Sequence, residues 1–258
     1  MEPFRVHILG CGSALPTLRH HASSQVVEVR DKVLMLDCAE GTQMQLRKCH
    51  VRFTKLSHVF ITHLHGDHCF GLMGVITTFS LLGRTTPLHI YAPKELEGIL
   101  MQQIDMFCSS LGYTIEFHAV DTTANKVFYE DDLVSITSVP LFHRVPCCGY
   151  LFREKSATPH SYAYCSDTKY IPTLHEMVRG VECLYHESTY MSAQIDKAEQ
   201  YFHSTAAQAA QVARDAGVET LLLGHYSARY NDENLLLEEA RAIFPNAQLS
   251  QEGMIIEL

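Results

Sequence analysis

One short segment of this 258-residue chain is dense in residues of the kind that bind metal ions. Four potential ligands fall within six residues of the segment THLHGDH: His63, His65, Asp67 and His68. Imidazole and carboxylate together suit zinc or a similar divalent ion, and glycine at position 66 would let the backbone turn tightly enough to aim the next two side chains inward. A histidine-rich surface turn is the alternative, and the apolar run His58–Thr62 before the cluster argues against it.

A single turn cannot close two metal sites, so further ligands should lie at the ends of other strands. The sequence offers one polar residue after each of three apolar runs: His143 after Val134–Val139, Asp167 after Tyr162–Cys165, and His225 after Thr220–Gly224. Each of these alone is more often a cap or turn residue than a ligand. Together with the first cluster they supply five histidines and two aspartates, which meets the needs of two ions.

The elements that would position these residues alternate between short β-rich apolar runs and helical stretches. Helices are predicted at Gly41–Lys48, Gly71–Leu82, Lys94–Phe107, Ile171–Val178, Thr205–Ala216 and Asp232–Phe244. The two halves of the chain have a similar mixture of strands and helices. This predicts an α/β sandwich, with sheets in the middle and helices outside. The polar segment Lys155–Ser161 lacks periodicity and is predicted to be a loop.

The composition is that of a packed globular protein. Apolar residues make up 47% of the chain and charged residues 19%, so disorder is not expected. The 20 Lys and Arg against 29 Asp and Glu give a net charge of −9, which argues against a non-specific nucleic-acid coat protein. An enzyme acting on nucleic acid would need local cations, for which the candidates are Arg19, Lys48, Arg52, Lys55, Arg144 and Arg229.

The cysteines and the hydropathy pattern predict a cytoplasmic protein without a membrane span. Nine cysteines is an odd number, and the opening MEPFRVHILG contains too short an apolar stretch for a secretory signal. A reducing compartment and free thiols are therefore expected. No apolar run reaches the length of about 18 residues that a membrane-spanning helix needs.

The segment HLHGDH resembles the HxHxDH signature of the metallo-β-lactamase superfamily. Further segments resemble those of short-form ribonuclease Z, the tRNA 3′-processing endonuclease: GCGSALP, LDCAEGTQMQL, SDT, HEST, FHSTAAQAA and GHYSARY. They occur in the family's order and cover almost the whole chain. The resemblance implies a single domain over residues 1–258, built as an αββα four-layer sandwich of the metallo-β-lactamase type with a dinuclear metal site at the strand ends.

The resemblance also assigns the ligands residue by residue. One zinc ion would be held by His63, His65 and His143. The other would be held by Asp67, His68 and His225, and Asp167 would bridge both. Each chain would then bind two Zn²⁺, with Mn²⁺ or another divalent ion as the alternative.

Two such ions, roughly 3.5–4 Å apart, can clamp a phosphodiester and generate hydroxide, which would attack phosphorus in line with the departing oxygen. In the family this reaction removes the 3′ trailer of precursor tRNA and leaves a tRNA 3′-hydroxyl and a 5′-phosphorylated trailer. The resemblance gives Asp67 the role of orienting the attacking water or accepting its proton. Glu187 and His203 are the candidates for protonating the leaving oxygen, with His186 in support. A buried structural hydrogen bond is the alternative for the Glu187–His203 pair.

The chain departs from the ribonuclease Z pattern in two places. The family usually carries a long flexible arm, the exosite, which grips the tRNA elbow, and here only about ten residues separate Phe152 from Tyr162. The arm expected near residues 153–161 is therefore absent from this chain. The family also often has a basic Pro-x-Lys-x-Arg-Asn loop where this chain has Pro16–His21, with Arg19 as its one arginine. Arg19 and Arg229 are the candidates for substrate binding.

Three alternatives to a ribonuclease Z function are considered. The first is another phosphodiesterase of the metallo-β-lactamase fold that acts on small or cyclic phosphodiesters, which the missing arm would favour. The second is a flavodiiron oxidoreductase, which generally has Glu where this chain has His65 and needs a flavin domain. The third is a non-enzymatic metal-binding scaffold, which would be expected to lose ligands, yet all seven are present. The resemblance further implies precursor tRNA as the partner and a homodimer.

Overall fold

The computed structural model describes residues 4–258 and places their strands in two seven-stranded sheets. In spatial order the first sheet contains β14 (Ile255–Glu257), β1 (Phe4–Gly10), β2 (Ser24–Val29), β3 (Lys32–Leu36), β4 (Leu56–Phe60), β5 (Leu88–Ala92) and β6 (Ile115–Ala119). The second sheet contains β13 (Ala247–Leu249), β12 (Thr220–Gly224), β11 (Cys183–Glu187), β10 (Ser161–Cys165), β9 (Cys148–Glu154), β8 (Val134–Pro140) and β7 (Val127–Glu130).

The helices cover the outer faces of the two sheets. They are α1 (Thr42–Lys48), α2 (Gly66–Cys69), α3 (Leu72–Leu81), α4 (Glu95–Phe107), α5 (Leu174–Met177), α6 (Ile195–Tyr201), α7 (Ala206–Ala216) and α8 (Asn234–Arg241), with 3₁₀ turns at Phe53–Lys55 and Ser192–Gln194. Helices α1, α3 and α4 bury apolar side chains against the first sheet. Helices α5, α7 and α8 do the same on the second sheet.

Between the sheets lies a continuous apolar core. It joins Phe4 and Ile8 of β1 to Tyr150 and Phe152 of β9, and all four side chains are almost completely buried. Burying both faces of both sheets stabilises the fold because apolar area removed from water contributes roughly 25 cal/mol per Å². The predicted αββα four-layer sandwich of the metallo-β-lactamase type is confirmed.

The direction of the strands brings many chain segments to one edge of the sandwich. In the first sheet β3 and β4 are parallel. In the second sheet β10, β11 and β12 are parallel, and β8 shares their direction because both β8 and β10 are antiparallel to β9. The carboxyl ends of parallel strands are where open α/β sheets bind ligands. The loops after these six strands contain the predicted ligands that follow strands, including His143, Asp167 and His225.

Most of the predicted elements are present, with shifts at their ends, and some are shorter than expected. The strand predicted at His58–Thr62 is β4, which ends at Phe60. The helix predicted at Ile171–Val178 is only the single turn of α5, which begins after the proline at position 172. The short elements α2, α6 and β13 were not predicted, because segments of three to seven residues leave little periodicity in the sequence.

The predicted tight turn at Gly66 is wrong. Gly66 begins the one-turn helix α2, and it is this helix that directs the next two side chains inward. A Cβ at position 66 would lie 2.5 Å from Cε2 of Phe70, so the exposed ring of Phe70 would have to move to admit a larger residue.

The loop between β9 and β10 is short. Residues 155–160 connect the two antiparallel strands, and the Glu154 amide donates to the His160 carbonyl at 2.9 Å to close the hairpin. Among residues 4–258, no helix combines the length and the apolar character needed to cross a membrane. All nine cysteines are free thiols. The opening segment was predicted to lack a secretory signal, and its first three residues lie outside the described range.

Candidate metal centre and active site

The structure brings all seven predicted ligands together at the strand-end edge, in two sets. The first set contains His63 Nε2, His65 Nδ1, His143 Nε2 and Asp167 Oδ2. Nδ1 of His65 lies 3.0 Å from Nε2 of His63 and 3.2 Å from Nε2 of His143. The Asp167 Oδ2 atom lies 3.7 Å and 3.6 Å from the same two Nε2 atoms. Three imidazoles and a carboxylate around one point form a typical site for a divalent ion.

The second set contains Asp67 Oδ2, His68 Nε2, His225 Nε2 and the other oxygen of Asp167. Asp167 Oδ1 lies 3.1 Å from the Nε2 atom of both His68 and His225. The corresponding distances from Asp67 Oδ2 are 3.4 Å and 3.5 Å. Helix α2 supplies Asp67 and His68, and His225 directly follows β12.

Asp167 connects the two sets because each of its oxygens faces a different one. The residue follows β10 and has φ of +61°, a left-handed conformation that is uncommon for a residue other than glycine. His225 shares this conformation with φ of +59°. A strained backbone conformation persists only when contacts with the surrounding structure enforce it. Residues in such conformations are frequent at functional sites.

The burial and protonation of the donor atoms suit the binding of divalent ions. Asp67 Oδ2, His68 Nε2 and His225 Nε2 are buried and have no hydrogen-bond partner, which is costly for polar atoms in a protein interior. Burial also lowers the pKa of His63 and of His143, and the neutral imidazole is the form that binds a metal. The fold and this His/Asp cluster together indicate a divalent-metal site.

Hydrogen bonds on the opposite ring nitrogens orient the imidazoles. Nδ1 of His68 donates to Asp37 Oδ2 at 2.6 Å, and Nδ1 of His143 donates to the Phe202 carbonyl at 2.9 Å. Nδ1 of His225 donates to Thr189 Oγ1 at 2.9 Å. Each bond leaves Nε2 as the atom that faces the centre, as is usual for metal-binding histidines.

Asp37 is a functional residue that the sequence analysis did not single out. Its carboxylate is fully buried and also accepts hydrogen bonds from the Thr62 amide at 2.8 Å and from the Tyr164 hydroxyl at 3.0 Å. It lies directly after β3, so it obeys the same strand-end rule that identified the ligands. The motif LDCAEG was recognised, but no role was assigned to its aspartate.

The Glu187–His203 pair lies beside the ligands. Nδ1 of His203 donates to Glu187 Oε1 at 2.8 Å, and the fully buried carboxylate also accepts from the amides of Thr168 and Ser204. Burial alone would lower the pKa of His203, but the Glu187 charge and hydrogen bond outweigh it and raise the pKa to about 9. Divalent ions bound nearby would oppose this rise. His186 is fully buried, and its Nδ1 donates to the Glu187 carbonyl at 2.8 Å.

These groups open onto a cleft of about 280 Å³. Its walls are formed by Ser13, Ala14, His65, Asp67, His143, Arg144, Asp167, Thr189, Tyr190, Tyr201, His203, His225 and Ser227. Arg144 is the one candidate cation of the sequence analysis that lines this cleft, and its guanidinium lies 5.2 Å from the centre of the Tyr201 ring. The cleft therefore combines ligand atoms, a cation and aromatic rings in one concave surface.

The two arginines predicted to bind substrate have different surroundings. Arg229 lies 4.6 Å from the centre of the Tyr190 ring and donates to Ser227 Oγ at 3.0 Å, and both of these partners line the cleft. Arg19 instead donates to Glu233 at 2.7 Å and to the carbonyl of Asn231 at 3.0 Å. The structure thus brings Arg229 to the rim of the cleft and holds Arg19 against the loop before α8.

Comparison with known proteins agrees with this geometry. The family model of the beta-lactamase superfamily domain matches residues 33–226. The chain is 47% identical to a ribonuclease Z of Bacteroides fragilis over all of both chains, and 45% identical to one of Bacteroides thetaiotaomicron over all of this chain and 96% of the relative. Its structure matches that of human tRNase Z, short form, with a TM-score of 0.84 and 28% identity over 98% of each chain.

The length of the alignment shows that a relative carries residues that this chain lacks. The alignment to the Bacteroides fragilis relative spans 304 positions, which is 46 more than the 258 residues of this chain. That relative therefore carries at least 46 residues that have no counterpart here. The similarity otherwise covers both chains from end to end. The chain belongs to the ribonuclease Z family of the metallo-β-lactamase fold and is a metal-dependent nuclease.

Proposed function

We propose that this protein is a cytoplasmic, zinc-dependent endoribonuclease that removes the 3′ trailer from precursor tRNA. The products would be a tRNA with a 3′-hydroxyl and a trailer with a 5′-phosphate. The observation that carries the proposal is Asp167, whose two oxygens face two separate ligand sets, in a chain whose relatives are named ribonuclease Z. Free thiols throughout the chain are compatible with the cytoplasm.

The seven ligands would hold two Zn²⁺. When bound, two such ions would supply Lewis acidity toward the phosphate and an activated water at neutral pH. The chain's own residues then divide the remaining tasks. Asp67 lines the cleft through the same carboxylate that faces His68 and His225, so it would orient the attacking water or accept its proton.

His203 would donate a proton to the departing 3′-oxygen. Its Nδ1 is held by Glu187, so Nε2 is the nitrogen that can act on a substrate in the cleft. Glu187 would act by positioning this ring and stabilising its charged form. Arg144 in the cleft and Arg229 at its rim would bind phosphates of the RNA on either side of the bond that is cut.

A homodimer is part of the proposal, because one tRNA could then contact both subunits. Large apolar side chains are exposed on α3 and α4, among them Leu81, Ile99, Met106 and Phe107. Exposed apolar groups of this kind often mark protein–protein contacts. Sedimentation analysis of the purified chain would test this, and a monomer at all concentrations would contradict it.

Mapping the cleavage site on precursor tRNA tests the main proposal. Enzyme loaded with zinc should cut at the 3′ end of the mature tRNA, and enzyme treated with a chelator should not cut until zinc is restored. The ends of both products should be a 3′-hydroxyl and a 5′-phosphate. Turnover of small or cyclic phosphodiesters without cleavage of tRNA would instead establish the alternative function.

The bridging role of Asp167 has its own test. Asp167→Ala should lower the occupancy of both zinc ions, because the carboxylate serves both ligand sets, whereas His63→Ala should mainly affect one. Zinc content per chain after dialysis, measured by elemental analysis, distinguishes the two results. If Asp167→Ala retained two zinc ions and full rate, the bridging assignment would be wrong.

A further inference from the structure

A second cluster of metal-binding residue types lies outside the dinuclear centre. It consists of Cys11, His20 and Glu252, whose ligand atoms converge. The Cys11 thiol is completely buried, and the side chains of His20 and Glu252 are each 13% exposed. The three residues come from the end of β1, from the loop that follows it and from the turn before β14, so the fold itself assembles the cluster.

The distances within the cluster are close to those of a tetrahedral zinc site. Sγ of Cys11 lies 3.4 Å from Nδ1 of His20 and 3.6 Å from Oε1 of Glu252, and Nδ1 of His20 lies 3.1 Å from Oε2 of Glu252. Bonds from zinc to sulfur, nitrogen and oxygen would place neighbouring ligand atoms about 3.4–3.6 Å apart. The thiol and the imidazole approach different oxygens of Glu252, so a rotation of that carboxylate would bring one oxygen, the sulfur and the nitrogen around one ion.

The far side of His20 has the partner that metal-binding histidines usually have. Its Nε2 lies 3.4 Å from Oε1 of Glu233, and Arg19 Nη1 donates to that same oxygen at 2.7 Å. A carboxylate on the second ring nitrogen fixes the orientation of a ligating imidazole and raises its basicity. This gives Arg19 a structural task, since it holds the carboxylate behind the proposed ligand.

The charges of the cluster also favour a cation. Without one, burial and the neighbouring Glu252 raise the pKa of Cys11 well above its usual range and keep it a thiol. The hydrogen bond to Glu252, together with the charges of Glu252 and Glu233, raises the pKa of His20, so without a metal its imidazolium is the cation beside these carboxylates. A divalent ion would take its place: the thiol proton and the Nδ1 proton of His20 would pass to solvent, and the ion would neutralise the thiolate and Glu252 together.

We propose that Cys11, His20 and Glu252 form a separate, mononuclear zinc site that fixes the loop after β1 beside the active site. Backbone contacts place the cluster next to the dinuclear centre: the Gly12 amide donates to the His21 carbonyl, and the amide of Tyr226, the neighbour of His225, donates to the Cys11 carbonyl. His20 also lines a cleft of about 540 Å³ that reaches Asp67. Water would complete the three-ligand coordination.

Cobalt provides a spectroscopic test that is specific for this site. The dinuclear centre has only histidine and aspartate ligands, so a thiolate-to-Co²⁺ charge-transfer band in the near ultraviolet can arise only from a cysteine ligand. The metal-free full-length chain would be titrated with Co²⁺ alone. The wild type should show the band, and it should bind one more equivalent of zinc than a variant that lacks the cluster.

Two variants and a matched control decide the outcome. Cys11→Ala should lose the band and one equivalent of zinc, while Cys183→Ala, which removes a cysteine that is equally buried but lies in β11, should keep both. Glu252→Gln should also lose the zinc equivalent, and it serves as the test if Cys11→Ala does not fold. The absence of the band in the wild type, or its persistence with unchanged zinc content in both cluster variants, would overturn the proposal.

Discussion

Asp37 shows how much of this candidate metal centre depends on a residue that is not itself one of the predicted ligands. Its carboxylate accepts four hydrogen bonds, from the amide and hydroxyl of Thr62, from Nδ1 of His68 and from the hydroxyl of Tyr164. These bonds tie the first ligand loop to the second sheet. They also fix the ring of His68, a ligand that is itself fully buried.

Asp37→Asn should weaken zinc binding at the set that includes His68 by about 10–100-fold, as expected when the partner of a ligating histidine is lost. The amide that replaces one oxygen would face groups that donate, so it cannot accept from them. Tyr164→Phe is the matched control, since it removes one hydrogen bond and keeps the carboxylate. Competition with a chelator of known affinity measures the loss, and equal affinities for Asp37→Asn and wild type would contradict the prediction.

His203→Ala should keep both metal ions and lower the rate of RNA cleavage by about 10²–10⁴-fold, the usual contribution of a positioned acid. The sharper expectation concerns the leaving group. p-Nitrophenolate is a stable anion that needs no proton, so hydrolysis of bis(p-nitrophenyl) phosphate should fall far less than RNA cleavage. An equal loss on both substrates would remove His203 from the acid role.

The seven candidate ligands were predictable because each is a carboxylate or imidazole residue that closely follows an apolar strand or lies in one dense motif. Asp37 obeys the same rule, yet it was missed because a lone aspartate after a strand is far more often a turn residue. The partners of Arg19 could not be predicted, since they lie more than 200 residues further along the chain. Such pairs exist only once the sheets have formed.

At the scale of elements, helix α7 connects packing to the candidate acid because it begins three residues after His203. Thr205 caps it: its hydroxyl accepts from the Gln208 amide at 3.2 Å, and the Gln208 side chain accepts from the Thr205 amide at 2.9 Å. The helix ends at Ala216, and Gly217 follows it with φ of +64°, the left-handed conformation that commonly terminates helices. This reciprocal cap fixes the start of the helix and the segment that leads to it.

Thr205→Ala should lower the free energy of unfolding by about 1 kcal/mol, since an alanine cannot accept the bond at the N-cap. Thr205→Ser keeps the hydroxyl and is the matched control, so it should lose much less. Urea unfolding followed by circular dichroism measures both. If the two variants lost the same stability, the cap would not be the cause.

Elements with strong periodicity were predictable, and elements that owe their shape to neighbours were not. The strand β12 and the helix α4 were predicted to within one residue at each end. Helix α2 has a single turn, and its geometry depends on contact with the loop after β3, where the Cys38 amide donates to the His68 carbonyl at 2.7 Å. No periodic signal in four residues can report such a contact.

At the scale of the whole molecule, the net charge of −9 conflicts with binding a polyanion unless cations are concentrated where the RNA lies. Several of the candidate cations are engaged elsewhere: Arg52 lies 3.6 Å from Glu28, and Lys55 lies 3.7 Å from Asp31. Arg144 and Arg229 remain close to the cleft. Arg144 and Arg229 are therefore the two candidate cations that lie where a substrate in the cleft could reach them.

The short hairpin between β9 and β10 leads to the last prediction. We expect this chain to hydrolyse bis(p-nitrophenyl) phosphate as efficiently as its Bacteroides fragilis relative, because the small substrate needs only the metal centre. On precursor tRNA its kcat/KM should be much lower than that of the relative, which carries at least 46 additional residues. The deficit should lie mainly in KM, since remote contacts contribute binding energy. Equal kcat/KM values of the two enzymes on precursor tRNA would contradict this prediction and show that this chain binds its substrate without an arm.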